Sequence, residues 1–203
     1  MFMNIREEAA VTPKDGRLAI AIMTGERPTL CHGKLVYDPA KTKVIRQEVE
    51  NNAIMKDGRA YFASVLAQQV PANFMSVVEL GVGAYGPDVQ ASNTADPPDV
   101  NKNDHDLIVP FSPRRQYTID AEHGITVPSA NPLARSFSVL IDDLTTTGFD
   151  VSKYIGVSEI ALRFGPIEVN GEMIPGPLVA KRHKKSIPID PENFIFLQWT
   201  IQF

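Results

Sequence analysis

Cysteine is almost missing from this chain. Its 203 residues include one, Cys31, so no disulfide can form within the molecule and a disulfide-stapled secreted scaffold is excluded. Stability has to come from burial or assembly, and the chain suits a reducing cytoplasm. No long apolar run is present either. The stretch LAIAIM, Leu18 to Met23, is far shorter than the ~20 residues that cross a bilayer, and the opening MFMNIREEAA lacks the basic-then-apolar order of a secretory signal. The chain is therefore read as soluble, with no membrane partner. Charge of one sign is not in excess: 20 Lys and Arg against 24 Asp and Glu leave −4, which offers no global field to nucleic acid. Histidine is scarce and scattered. His32, His105, His123 and His183 form no spaced ligand pair, and Cys31 and His32 would point to opposite faces of a strand, so a zinc site is not expected.

Sixteen prolines against thirteen glycines point to many short extended segments joined by turns. GRLAIAIM, GKLVY and TKVIRQEV in the first fifty residues are strand-like and fit one or two hairpins. Residues 57–70 change period: Phe62, Val65, Leu66 and Val70 share one helical face, and Pro71 stops the run. Strand patterns then resume in NFMSVVELGVG, DLIVPFS, RQYTID, ARSFSVLID and GVSEIALRF. In RSFSVLID, Phe137, Val139 and Ile141 alternate with Ser136 and Ser138, as in a sheet with one buried face. The final ribbon FIFLQWTIQF places Ile195, Leu197, Trp199, Ile201 and Phe203 on one face and Phe194, Phe196, Gln198, Thr200 and Gln202 on the other. It is expected to be a core strand, with Phe194 and Phe196 covered by another layer or by a partner, because an exposed strand this apolar invites aggregation. The expected fold is mainly β: an antiparallel β-sandwich with one short helix and an N-terminal β-hairpin arm. The expected organisation is an N-terminal hairpin or arm region over 1–56 and a sandwich domain over 57–203.

Chemistry-bearing motifs are weak one by one. Gly81, Gly83 and Gly86 have the G-x-G-x-x-G spacing of a dinucleotide fingerprint. Pro87 and the Pro- and Asp-rich stretch that follows cannot open the helix on which the pyrophosphate would sit, so the glycines are read as permitting a turn at a strand end. Asp99, Asn101 and Asn103 imitate the start of a calcium loop, but Asp104 stands where glycine is needed and Pro110 where a bidentate glutamate is needed. The candidate oxygens for an ion there are Asp96, Asp99, Asn101 and Asp106. GVSEI, residues 156–160, lacks the closing glycine of a nucleophile elbow, and Glu159 reads as a strand residue. Asp142 and Asp143, adjacent on a strand, would face apart. KRHKK, Lys181 to Lys185, is expected to be a solvated edge, or else a contact with an acidic neighbouring subunit. No enzyme and no cofactor are expected.

Taken in order, the helix, ELGVG (Glu79 to Gly83), PDVQASNTADPP, SEIALRF (Ser158 to Phe164), LVAKRHKKSIPI (Leu178 to Ile189) and the closing FLQWTIQF resemble a family of tailed-bacteriophage structural proteins related to tail-fibre and collar-fibre base domains. That family shows an L-G-x-G, E-I-x-L, W-x-I-x-F progression. Ala161 and Arg163 interrupt its E-I-G-L-F form, Asn93-Thr94 stands for its Asp-Thr, and residues 1 to about 56 have no counterpart. The resemblance implies a virion protein of the tail, neck or baseplate, made in the cytoplasm of a bacterial host. It would hold other copies of itself and other phage structural proteins in a symmetric particle, with no nucleic acid partner and no catalytic step. Lys181, Arg182, Lys184, Lys185, Phe194 and Phe196 are the candidate contact residues. Two alternatives remain: a capsid decoration protein, and a carbohydrate- or receptor-binding module using Tyr85, Tyr117, Tyr154 and the loop from Asp96 to Asp106.

Overall fold

Residues that alternate apolar side chains on a pleated backbone have to find neighbours on both edges, and the C-terminal ribbon finds them. The computed structural model describes residues 16–66, 75–87, 89, 92, 94–131, 134–142, 156–169 and 171–202. In chain order its elements are β1 (Arg17–Gly25), β2 (Thr29–Cys31), β3 (Lys34–Val36), β4 (Thr42–Asn51), β5 (Ala53–Ile54), α1 (Lys56–Leu66), β6 (Met75–Gly81), β7 (Gln116–Thr118), β8 (Ile125–Thr126), β9 (Ala134–Ile141), β10 (Gly156–Phe164), β11 (Ile167–Val169), β12 (Glu172–Ile174), β13 (Leu178–Pro188) and β14 (Asn193–Gln202). The protein is mainly β, as expected, and among the described residues all strand pairing is antiparallel and there is one short helix. Two compact units share the chain: Met1–Asn52 with Ile119–Thr145 and Asp190–Phe203, and Ala53–Thr118 with Thr146–Ile189.

The first unit is built on a five-stranded sheet in the order β4-β1-β14-β9-β8. Three rows cross its middle: Leu18, Trp199 and Phe137; Ile20, Leu197 and Val139; Ile22, Ile195 and Ile141. All nine are buried. Each row sets β-branched, leucine or aromatic side chains directly opposite one another, the contact that stabilises sheets. The other face carries Ala21, Met23 and Phe196, which pack with Leu35 and, more openly, with Leu30, Tyr37 and Phe194. Leu30 and Leu35 belong to the β2–β3 hairpin. Its two-residue loop has His32 at φ 46° and Gly33 at φ 71°, the doubly left-handed turn whose twist matches a hairpin. The second layer over Phe196 is thus supplied by the chain itself. Ser136 and Ser138 are buried too, so β9 is covered on both faces and not on one. Their hydroxyls are used: Ser136 Oγ lies 2.9 Å from Thr200 Oγ1, and Ser138 Oγ accepts from Gln198 Nε2 at 2.9 Å.

The N-terminal pairing of β1 with β4 is present, yet β1 also bonds β14 from Arg17↔Thr200 to Thr24↔Asn193. It is an interior strand, not an arm set apart from the rest. The expected boundary at 56/57 accordingly gives way to a division after Asn52, with the C-terminal strand belonging to the N-terminal unit.

The second unit holds the sheet β5-β13-β10-β6-β7, with α1 placed by Tyr61, whose ring sits 4.3 Å from that of Phe164. The helix begins one residue earlier than its expected start. Its expected apolar side chains Phe62, Val65, Leu66 and Val70, and its stop at Pro71, lie outside the described residues or side chains. DLIVPFS is not a strand. Among the described residues it makes one bridge, Pro110 to Gly81, because its amides are taken by a side chain.

Candidate functional site

Strand β10 is buried along its whole length, although two of its nine residues are charged. Antiparallel register explains how. Glu159 stands opposite Gly81 of β6 and His183 of β13; Ala161 opposite Glu79 and Lys181; Arg163 opposite Val77 and Leu178. Gly81 and Ala161 leave room at two nodes of this lattice, and the long side chains of opposite sign reach each other across it. The segment 98–114 closes over them.

Glu159 is the hub. Its Oε1 accepts from the amide of Ile108 at 2.8 Å, and its Oε2 from those of Val109 and Gly83, each at 3.0 Å. Lys181 Nζ lies 3.1 Å from Oε1 and also reaches Asp104 Oδ2 at 3.1 Å and the Asp106 carbonyl at 3.2 Å. A side chain on Gly81 would put its Cβ 2.7 Å from Val109 O, and one on Gly83 would put it 2.6 Å from Val109 N. These two glycines are therefore required for close approach of the covering segment, while Gly86, at φ 116°, is the residue that supplies a turn.

The second half of the cluster is a square of two carboxylates and two guanidiniums. Arg163 Nε donates to Glu79 Oε2 at 2.5 Å and its NH1 to the Gly176 carbonyl at 3.1 Å, and a short hydrogen bond joins NH2 to Asp106. Arg114 NH1 donates to Glu79 Oε1 at 2.8 Å and to Asp106 Oδ1 at 3.0 Å, with NH2 on Asp106 Oδ2. Burial pushes the Asp106 carboxyl up, but the Arg114 hydrogen bond and the Arg163 charge outweigh it and hold the group below the usual carboxylate range. The Asp106 hydrogen bond raises Arg114 in turn. Both shifts favour the charges these groups carry anyway, which is the behaviour of a structural ion pair and not of an acid or base tuned toward neutrality.

His183 completes the cluster. Its Nδ1 is 2.9 Å from the Pro98 carbonyl, so Nδ1 carries the proton, and Nε2 faces Glu159 Oε1 at 3.7 Å. Burial holds its pKa below the ordinary imidazole value.

A cleft of about 530 Å³ borders this cluster, with Asp57, Tyr61, His105, Arg114 and Ile174 in its wall. His105 Nδ1 stands 2.6 Å from Asp57 Oδ2 there. Among the described residues no cluster of three or more His, Cys, Asp or Glu is placed to hold a metal ion. The four candidate ion ligands go separate ways: Asp96 pairs with Lys185 at 3.1 Å, Asn101 Oδ1 accepts from the Asn103 amide at 3.0 Å, Asp99 is exposed and Asp106 is held by two arginines.

The KRHKK run is not a solvated edge. It lies in β13, between β5 and β10, where Lys181, His183 and Lys184 are buried and Arg182 and Lys185 are half-buried. Inside the same unit Lys181 meets Glu159 and Asp104, and Lys185 meets Asp96. Of the six expected contact residues, Lys181, Lys184 and Phe196 are thus interior, and Phe194 is half-buried against the β2–β3 layer. The residues missed by sequence reading were Glu79 and Arg163, and for Glu159, rightly read as a strand residue, its place at the hub. Their signal was a charge of each sign at even spacing within otherwise apolar strands. Asp143 and Tyr154 lie outside the described residues, while Asp142 pairs with Arg27. Comparison of the chain with protein-family models, with curated proteins and with solved structures gave no match.

Proposed function

We propose that this chain is a structural component of a tailed-bacteriophage virion, in its tail, neck or baseplate region. It acts by contacts between subunits and by attachment of fibre or adaptor proteins, without a catalytic step. One observation carries the reading. Four of the motifs behind the resemblance, ELGVG, the Pro98 end of the Pro- and Asp-rich stretch, SEIALRF and AKRHKK, meet around the Glu159 hub in a clamp that locks a loop over a sheet, while the closing FLQWTIQF belongs to the other unit. Such a clamp serves permanence of shape, which a particle component needs, and its charged groups are already engaged with one another. Self-association in a symmetric assembly then turns many weak contacts into a durable one.

The reading is tested by mass spectrometry of particles purified from a lysate of the producing bacterium. The chain should co-purify through a density gradient and remain through salt washes. Its loss from washed particles would contradict the proposal. A capsid decoration role would appear as labelling on the head shell and not on the tail or neck. The glycan-binding alternative draws little support from Tyr85, whose hydroxyl donates to the carbonyls of Ser92 and Ala95.

A further inference from the structure

We infer that the outer edge of β4 is a self-complementary docking edge, on which a second copy of this chain lays its own β4 antiparallel around a two-fold axis at Gln47. The inference takes from the preceding reading only the expectation that copies of the chain associate.

The edges of the two large sheets are unequal. β5, β7 and β8 are two or three residues long and offer little backbone to a partner. β4 runs for ten residues and, among the described residues, pairs with β1 alone. Lys43, Ile45, Gln47, Val49 and Asn51 are exposed along it, including two large β-branched side chains, Ile45 at 54% and Val49 at 47%. A long edge of this kind is a template for strand addition unless something selects its partner.

Charge does the selecting. The strand is sorted by sign: Lys43 and Arg46 come first, Glu48 and Glu50 after. Parallel stacking of two copies sets like charges side by side. Antiparallel pairing sets the basic half of each against the acidic half of the other. Register narrows the choice again. An axis at Arg46 opposes two arginines and one at Glu48 opposes two glutamates, each unfavourable directly across strands. An axis at Gln47 sets Arg46 opposite the second copy's Glu48, twice, and brings Ile45 toward the second copy's Val49. Arg46 and Glu48 already meet within one strand, at 2.5 Å and only partly exposed, so the dimer joins two such pairs into a four-charge group. The pairing with β1 shifts register at Ile22/Met23, which leaves Ile45 as a bulge. That irregularity disfavours open-ended edge stacking and is consistent with a closed pair. A strand pair alone buries less than the ~1,200 Å² of a stable interface, so the dimer is weak, with Kd on the order of micromolar.

Sedimentation of the full chain tests this. The wild type should pass from monomer to dimer as its concentration rises through the micromolar range. Lys43→Glu/Arg46→Glu and Glu48→Lys/Glu50→Lys should each stay monomeric, with circular dichroism and a cooperative unfolding transition showing that they fold. Mixed in equal amounts, the two variants should form a heterodimer about tenfold tighter than the wild-type pair, since the diagonal contacts of Arg46 with Arg46 and Glu48 with Glu48, like-charged in the wild type, then also become attractive. A wild type that stays monomeric, or charge-reversed variants with wild-type mass, would overturn the docking edge. Presence of the chain in purified particles would still stand in that case, so the two readings fail separately.

Discussion

Glu159 shows how a charged residue comes to lie in the middle of a wholly buried strand. Three backbone amides and one ammonium converge on its two oxygens, replacing the water it leaves behind. Glu159→Gln turns an amide group toward those donors and removes the buried carboxylate facing Lys181, which keeps Asp104 alone as its charged partner. A loss of about 3–5 kcal/mol in urea unfolding is expected, as for a broken buried ion pair. Gly83→Ala acts on the same clamp through space, because its Cβ would meet the Val109 nitrogen and Glu159 Oε2. About 1–3 kcal/mol should be lost, with amide exchange rising in residues 107–109. His183 links the clamp to pH. Its pKa is lowered from 6.5 on folding, so the fold favours the neutral ring. That contribution is complete above the unfolded value and is lost as pH falls from 6.5 toward the folded pKa. Unfolding midpoints should therefore drop below about pH 6.5 in the wild type and drop less in His183→Gln. The exposed His123, raised by its Asp120 hydrogen bond, works in the opposite sense and is common to both proteins. Asp106 acts in a separate window, its share being lost only as pH falls through its depressed folded pKa.

At the level of elements, β14 is the strand on which the first unit depends. Trp199 is fully buried between Leu18 and Phe137 on the neighbouring strands. Trp199→Ala should cost about 3–5 kcal/mol, read as a lower denaturant midpoint with the slope retained. This strand was legible because ten residues of clean alternation admit one register of faces. A helix was expected over 57–70 from a change of period, and residues 56–66 are helical. β13 was not legible: Lys181 and Lys184 look solvated when read alone, and only Glu159 and Asp104, distant in sequence, reveal why Lys181 is buried. DLIVPFS fails as a strand by the same logic, since what its amides bond to is a carboxylate some fifty residues away. Local pattern records which face a side chain takes and is silent about long-range charge pairing.

For the molecule as a whole, the interleaving of segments decides what could be foreseen. A boundary near residue 56 follows from reading the chain in order, whereas β1 completes a sheet with a strand that ends the chain. The G-x-G turn has a corresponding explanation: Gly81 and Gly83 make way for a loop and not for a phosphate. Its densest charge cluster is buried and self-paired, and we propose that the molecule acts through its surface as a repeated part of a virion. Quantitative peptide counting on gradient-purified particles, against the major shell protein, tests this most directly. The account predicts a fixed copy number per particle, the same across preparations and set by the particle's symmetry. A trace amount that varies from one preparation to the next, or recovery of the chain only in the particle-free lysate, would contradict it.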